Sequence, residues 1–186
     1  VQAKRHKTLS PEWEFFLRAR KGDNRAWREM MDNYQPRLLS LAFLITGSLS
    51  AAEDIVQETF LHALGMKIKN HDGSVRGLLG TIAYRLALKE LKRSRRTAEF
   101  DNIEHEDPGR NSLAGIIEDE RGRMVAETIR GLDCTHRDIL VLRFYAGHSY
   151  EEIADLIELP IGTVKSRIFY GVKRCREILK DKGVFE

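Results

Sequence analysis

Apolar residues recur along this chain mostly in steps of three and four, the spacing of helices with one buried face. No alternating apolar run is long enough to insist on a strand. The pattern therefore predicts an all-α protein. Ser10-Pro11 marks a first helix, from Pro11 to about Lys21, with proline at the opening helical position. A second runs through "NRAWREMMDNYQPRLLSLAFLITG", broken or bent near Pro36, because proline lacks the amide donor a helix interior needs. "SAAE", Ser50 to Glu53, reads as a capping box for a third helix from Ala51 to about Leu64. "KIKNHDGS" is a loop cornered by Asp-Gly, and a fourth helix spans Val75 to about Arg95. The polar, acidic stretch from Thr97 to about Leu113, with "DPGRNS" inside it, reads as a flexible linker. A second helical block follows: Ile116 to Gly131, then "CTHRDILVLRFYAG", then a second capping box, "SYEE", from Ser149 to Glu152. The predicted organisation is two helical domains, 1–96 and 116–186, joined by a linker over 97–115.

The end of the second block has the form of a helix-turn-helix. Ser149 caps a short helix, Tyr150 to about Leu156, with Ile153, Ala154 and Ile157 on its buried face. "IELP" is the turn, and Pro160 suits the first position of the next helix. There Ile161, Val164, Ile168, Val172, Cys175 and Leu179 phase onto one face. Gly162, Ser166, Phe169, Tyr170 and Lys173 fall opposite, flanked by Lys165, Arg176, Arg167 and Arg174. A helix of this kind fits the major groove: outward side chains reach base edges, and flanking cations neutralise phosphates. A solvated amphipathic helix has a similar pattern, but two exposed aromatics and the tight turn ahead of it favour DNA.

Charge sharpens the picture. The net charge is only +3, but it is segregated. Arg85, Lys89, Lys92, Arg93, Arg95 and Arg96 face a single acid, Glu90. Next comes an acidic run that includes Glu99, Asp101, Glu104, Glu106, Asp107 and Glu118. From Ile161 onward bases again dominate. Basic, acidic, basic suggests two nucleic-acid-facing blocks around a solvated linker. Arg85, Lys89, Lys92 and Arg96 form a helical stripe opposite Leu79, Ala83, Leu86, Ala87 and Leu91. Leu78, Ile82 and Tyr84 lie beside the charges, a pattern suited to holding a backbone and unstacked bases. In "AEDIVQETFLHAL", Asp54, Gln57, Glu58 and Leu61 make an acidic face that suits a protein partner, while Ile55, Val56 and Phe60 are free for the core.

The remaining composition excludes more than it assigns. The chain is 186 residues long, 42% apolar and 32% charged, as expected of a soluble globular protein. The apolar run "LLSLAFLITG" is too short to span a membrane and reads as a buried helix. The N-terminus has no apolar signal core. Cys134 and Cys175 lack CxxC spacing, so no disulfide framework or zinc site is indicated, and a reducing cytoplasm is expected. The histidines are scattered, and most read as surface or loop positions. No catalytic constellation, metal-ligand cluster or cofactor motif stands out, so binding rather than catalysis is expected.

Taken in order, "AEDIVQETFLHAL", "VRGLLGTIAYRLALKELKRSRR", an acidic linker and "RDILVLRFYAGHSYEEIADLIELPIGTVKSRIFYGVKRCREIL" resemble a bacterial extracytoplasmic-function (ECF) sigma factor of the sigma-70 family. The resemblance runs from about Phe15 to Leu179. It implies an alternative sigma factor that binds core RNA polymerase and directs promoter-specific initiation, in a stress or envelope response. Asp54, Gln57 and Glu58 match the surface that docks on the β′ clamp helices, and the β flap is implied as a second polymerase contact. The loop from Lys67 to Ser74 and the helix from Tyr84 to Arg96 match the part that recognises and melts the −10 element, through Tyr84, Arg85, Lys89, Lys92, Arg93 and Arg96. The helix from Thr163 to Lys173 matches the −35 reader, with Lys165, Ser166, Phe169 and Tyr170 toward bases and Arg167 and Lys173 on phosphate. An anti-sigma factor covering both domains is implied as a regulator. The chain departs from the family pattern at Leu78, where tryptophan is common, at Arg85, where asparagine is, and at Tyr170, where arginine is frequent. Three other readings remain at this point: a sigma mimic that titrates an anti-sigma factor, a dimeric helix-turn-helix regulator, and an enzyme acting on DNA.

Overall fold

The structure, a computed structural model, describes residues 9–68, 73–101, 117 and 119–184. Among these, all regular structure is helical. The N-terminal block holds α1 (Pro11–Arg20), α2 (Asn24–Thr46), α3 (Leu49–Gly65) and α4 (Val75–Asp101). The C-terminal block holds α5 (Glu120–Arg130), α6 (Cys134–Val141), a π turn over Leu142–Ala146, α7 (Tyr150–Ile157) and α8 (Ile161–Asp181).

In the first block α2 is the central element, packed on α1, α3 and α4. Its start is capped by Asp23, whose carboxylate accepts from the amides of Arg25 and Ala26 at 3.0 Å. Pro36 lies inside the continuous helix α2, which is not interrupted there. The first block is tied together through α1. Arg20 donates to the carbonyls of Leu64 (3.1 Å) and Met66 (2.7 Å), at the C-terminal end of α3 where carbonyls lack helical partners. Trp13, buried, donates its indole N–H to the Gly73 carbonyl at 3.0 Å and so holds the entry to α4.

Leu41, Ala42, Phe43, Leu44 and Ile45 are all buried. A helix that is apolar all round needs cover on every side. Here α3 and α4 cover one side of α2, and the π turn, α5 and α6 of the second block cover another. The two blocks consequently share one continuous core. In the second block α8 packs across α5, α6 and α7.

Several sequence expectations change. Ser50 does not cap α3. The helix starts two residues earlier, at Leu49; Ser48 is the N-cap, and its hydroxyl accepts from the Ala51 amide at 3.3 Å. The Ser149 capping box is present: its hydroxyl accepts from the Glu152 amide at 3.0 Å, and the Glu152 carboxylate accepts from the Ser149 amide at 2.7 Å. Pro160 is the N-cap of α8 rather than its first helical residue. Helix α4 continues to Asp101, through the first residues read as linker, while 102–116 lie outside the described residues. On α8, Ile161 and Val172 are exposed, and Gly171 takes the buried place: a Cβ there would sit 3.2 Å from Leu140 Cδ1.

The cap reassignment is testable. Ser48→Ala should lower unfolding stability by about 1 kcal/mol, the usual cost of losing a serine cap, whereas Ser50→Ala, inside the helix and exposed, should be neutral. Urea unfolding of the two variants checks this; equal losses would restore Ser50 as the cap.

Candidate polymerase and promoter interfaces

Three surfaces carry the candidate residues. On α3, Ile55, Val56 and Phe60 are buried, so the helix phase turns Asp54, Gln57, Glu58 and Leu61 outward. Leu61 is 68% exposed, an apolar contact beside three polar ones. A groove between α3 and α4 sets Asp54 and Glu58 on one wall and Lys89 and Arg93 on the other. Acid and base faces thus lie side by side on adjacent helices.

On α4, Arg85, Lys89, Lys92, Arg93 and Arg96 are exposed, with Leu79, Ala83 and Ala87 buried beneath. Arg93 is held in a fork by Glu90, at 2.9 and 3.0 Å. Tyr84 is not beside the charges: it is buried, and its hydroxyl donates to Asp138 of α6 at 3.0 Å. Burial, then the adjacent Asp138 charge, push the phenol well above its ordinary range. Of the loop matched to −10 recognition, residues 69–72 lie outside the described residues.

On α8, Lys165, Ser166, Phe169, Tyr170 and Lys173 are exposed and Arg167 half-buried. The rings of Phe169 and Tyr170 meet edge to face at 5.4 Å, which presents a preformed apolar ridge to solvent. Val164, Ile168, Cys175 and Leu179 anchor the opposite side. The short α7 and the turn through Glu158, at a left-handed φ of 55°, set α8's angle.

Sequence reasoning missed the residues that join the blocks. Arg76 of α4 donates to the carbonyls of Phe144 (2.7 Å) and Tyr145 (3.0 and 3.1 Å). Thr81 bonds His148 Nε2 at 2.8 Å. His148 is buried, not a surface histidine. Such pairs leave no local periodicity to read; the glycine in mid-helix at Gly80 was the available hint of a close approach.

Residues 30–97 match the family model for Sigma-70 region 2, and residues 129–177 that for Sigma-70, region 4. The RNA polymerase sigma-H factor of Pseudomonas aeruginosa is 33% identical, over 95% of this chain and 95% of the relative. The chain belongs to the sigma-70 family, in its ECF branch. The ECF sigma factor SigL of Mycobacterium tuberculosis is 31% identical over 84% of this chain and 90% of that one. Among solved structures, the sigma factor RpoE of Bartonella quintana, in complex with the anti-sigma factor NepR, has the same fold: TM-score 0.61 at 23% identity, over 83% of this chain and 96% of that chain. CnrH, solved with the cytosolic domain of CnrY, superposes with TM-score 0.59 at 24% identity, over 91% of this chain and 97% of that one. This sigma factor thus binds core RNA polymerase and directs promoter-specific initiation. Region 2 coincides with α2–α4, and region 4 with the end of α5 through most of α8.

His148 gives the block boundary a pH dependence. Burial holds its imidazole below its ordinary value, outweighing the nearby Glu152 carboxylate, while Arg76 adds to the lowering. An unfolded histidine titrates near 6.5, so just below that pH the unfolded chain binds more protons than the folded one. Stability is then fully present above about pH 6.5 and falls as pH drops through the lowered folded value. The thermal midpoint of the sigma factor should decline from pH 7.5 to 5.5, and His148→Gln should flatten that decline. An unchanged slope in the variant would assign it to other groups.

Proposed function

We propose that the exposed face of α3, the cationic stripe of α4 and the outward face of α8 divide the work of this sigma factor among polymerase docking, −10 strand holding and −35 reading. The observation that carries this is spatial. Each face sits on a helix whose opposite side is locked in the core, so its functional side chains are presented rigidly. Asp54, Gln57 and Glu58, with Leu61 beside them, supply an acidic patch with an apolar contact for the β′ clamp helices; the region 4 block meets the β flap. Arg85, Lys89, Lys92 and Arg96 track a single strand's phosphates, and Arg93, forked to Glu90, borders them. Contacts to the opened strand offset the cost of unstacking, a few kcal/mol per extruded base. In the major groove Lys165, Ser166, Phe169 and Tyr170 face base edges, while Arg167 and Lys173 bind phosphate.

The role is one of binding and positioning; the chemistry of RNA synthesis belongs to the polymerase. The protein works in the cytoplasm, where polymerase is, and no described helix is long and apolar enough to cross a membrane. Anti-sigma control is proposed by likeness, since the structural neighbours RpoE and CnrH were solved with NepR and CnrY. A purely sequestering mimic is disfavoured by the two intact cationic faces.

Run-off transcription with bacterial core RNA polymerase and promoters selected by the holoenzyme tests the assignment. Asp54→Lys with Glu58→Lys should weaken core binding at least tenfold and abolish transcripts, with helix content unchanged. Lys173→Ala should weaken promoter binding evenly across sequences and lower the salt dependence by about one phosphate's worth, whereas Tyr170→Ala should relax preference within the −35 element. Normal core binding by the charge-reversed variant would move the docking site elsewhere.

A further inference from the structure

Resting on the −10 assignment above, we propose that α1 is a positioning element for promoter opening. Glu12, Trp13 and Arg20 set the end of the polymerase-docking helix α3 against the start of the strand-holding helix α4. They act on the backbone that carries the −10 side chains, not on the DNA itself. Helix α1 lies outside residues 30–97, the part that matches region 2.

The connection from α3 to α4 leaves at Met66 and rejoins at Gly73, and α1 holds both ends. At the exit, Arg20 donates from Nε to the Leu64 carbonyl at 3.1 Å and from Nη2 to the Met66 carbonyl at 2.7 Å. The end of α3 leaves these carbonyls without helical donors. At the return, Trp13 donates to the Gly73 carbonyl at 3.0 Å. Beside it, Glu12 Oε1 accepts from the Arg76 amide, in the first turn of α4, at 3.1 Å. Tyr34 of α2 donates to the same oxygen at 2.6 Å and so fixes the carboxylate. A carboxylate there also meets the positive end of the α4 dipole. Ser74 adds a local cap, accepting from the Gly77 amide at 2.9 Å.

The spacer between the two anchors is stiff. Trp13 and Arg20 lie on one helix, about 10 Å apart along its axis. Phe16 stands between them. Its ring meets Trp13 edge to face at 5.6 Å, and the Arg20 guanidinium carbon lies 6.0 Å from its centroid. Trp13 and Phe16 are buried, so this row is held in the core. Trp13 also lines the cleft that contains Lys67, Ser74 and Arg85, residues assigned to −10 recognition. Three of the four anchoring bonds end on backbone carbonyls and the fourth on a backbone amide. They therefore fix where α3 stops and α4 begins, and with that the register of every side chain that α4 offers to the strand.

The test uses the full chain with bacterial core RNA polymerase, on promoters selected by the parent holoenzyme. Each promoter is supplied as full duplex and with its −10 segment held open by mismatches. Open-complex formation is read from the reactivity of unpaired thymines and from run-off transcripts. Trp13→Phe keeps a ring and removes the N–H. Arg20→Gln removes the guanidinium fork. Glu12→Ala removes the acceptor, and Glu12→Gln restores it. The proposal predicts that the first three variants bind core within twofold of the parent. On duplex they should form open complexes at least fivefold more slowly. On the pre-opened promoter the loss should stay under twofold, and Glu12→Gln should recover the parental rate on duplex. A role in stability alone would lower output on both templates alike. That result, a parental rate on duplex in all three variants, or no recovery in Glu12→Gln, would overturn the proposal. Each anchor is removed singly, so a variant that does not fold leaves the other two to decide. Failure of the −10 reading looks different: Lys89→Ala with Lys92→Ala would leave opening at the parental rate, and the proposal would fall with it.

Discussion

The structure turns on the place where the π turn of the second block meets the start of α4 in the first. Two carbonyls at the end of a helical segment lack helical donors. Arg76 supplies those donors from the other half of the chain. Burial lowers the guanidinium's proton affinity, yet it stays charged and suits the negative end of a helix dipole. Close approach of Gly80 to Ala146 lets the backbones come near enough for the bonds to form. Tyr84 with Asp138, and Thr81 with His148, depend on the same register.

That single contact explains why the apolar run of α2 is buried all round. An isolated region 2 block would leave part of the surface around Phe43 uncovered; here Arg130 of α5 lies over the Phe43 ring at 5.3 Å. It also explains the contrast among the functional faces. Helices α3 and α8 turn their candidate residues to solvent, whereas α4 is divided. Its downstream cations are open and its upstream end is covered.

Much of this was legible in the sequence, for local reasons. Helix existence, the Ser149 capping box and the outward face of α8 follow from spacing and caps within a few residues. The exposed stripe from Arg85 to Arg96 follows from the same periodicity. What was not legible depends on partners far away in the chain. Tyr84 sits at the edge of α4's apolar face, and only Asp138, 54 residues on, decides that it is buried. His148 reads as a loop histidine until Thr81 is placed against it. Val172 is in phase with the core of α8, but the helix is covered along a narrower strip, so Gly171 rather than Val172 meets Leu140. Ser48 and Ser50 are both plausible caps in sequence, and only backbone geometry chooses between them.

The central claim is that one chain grips a promoter at two separate places, reading duplex with α8 and holding opened strand with α4. Footprinting of a holoenzyme–promoter complex, combined with chemical probing for unpaired thymines, tests it most directly. The account predicts two protected segments, with unpaired thymines confined to the downstream one, and loss of the upstream segment alone when Lys165 and Lys173 are replaced by alanine. A single protected segment, or unpaired bases at the upstream segment, would contradict it.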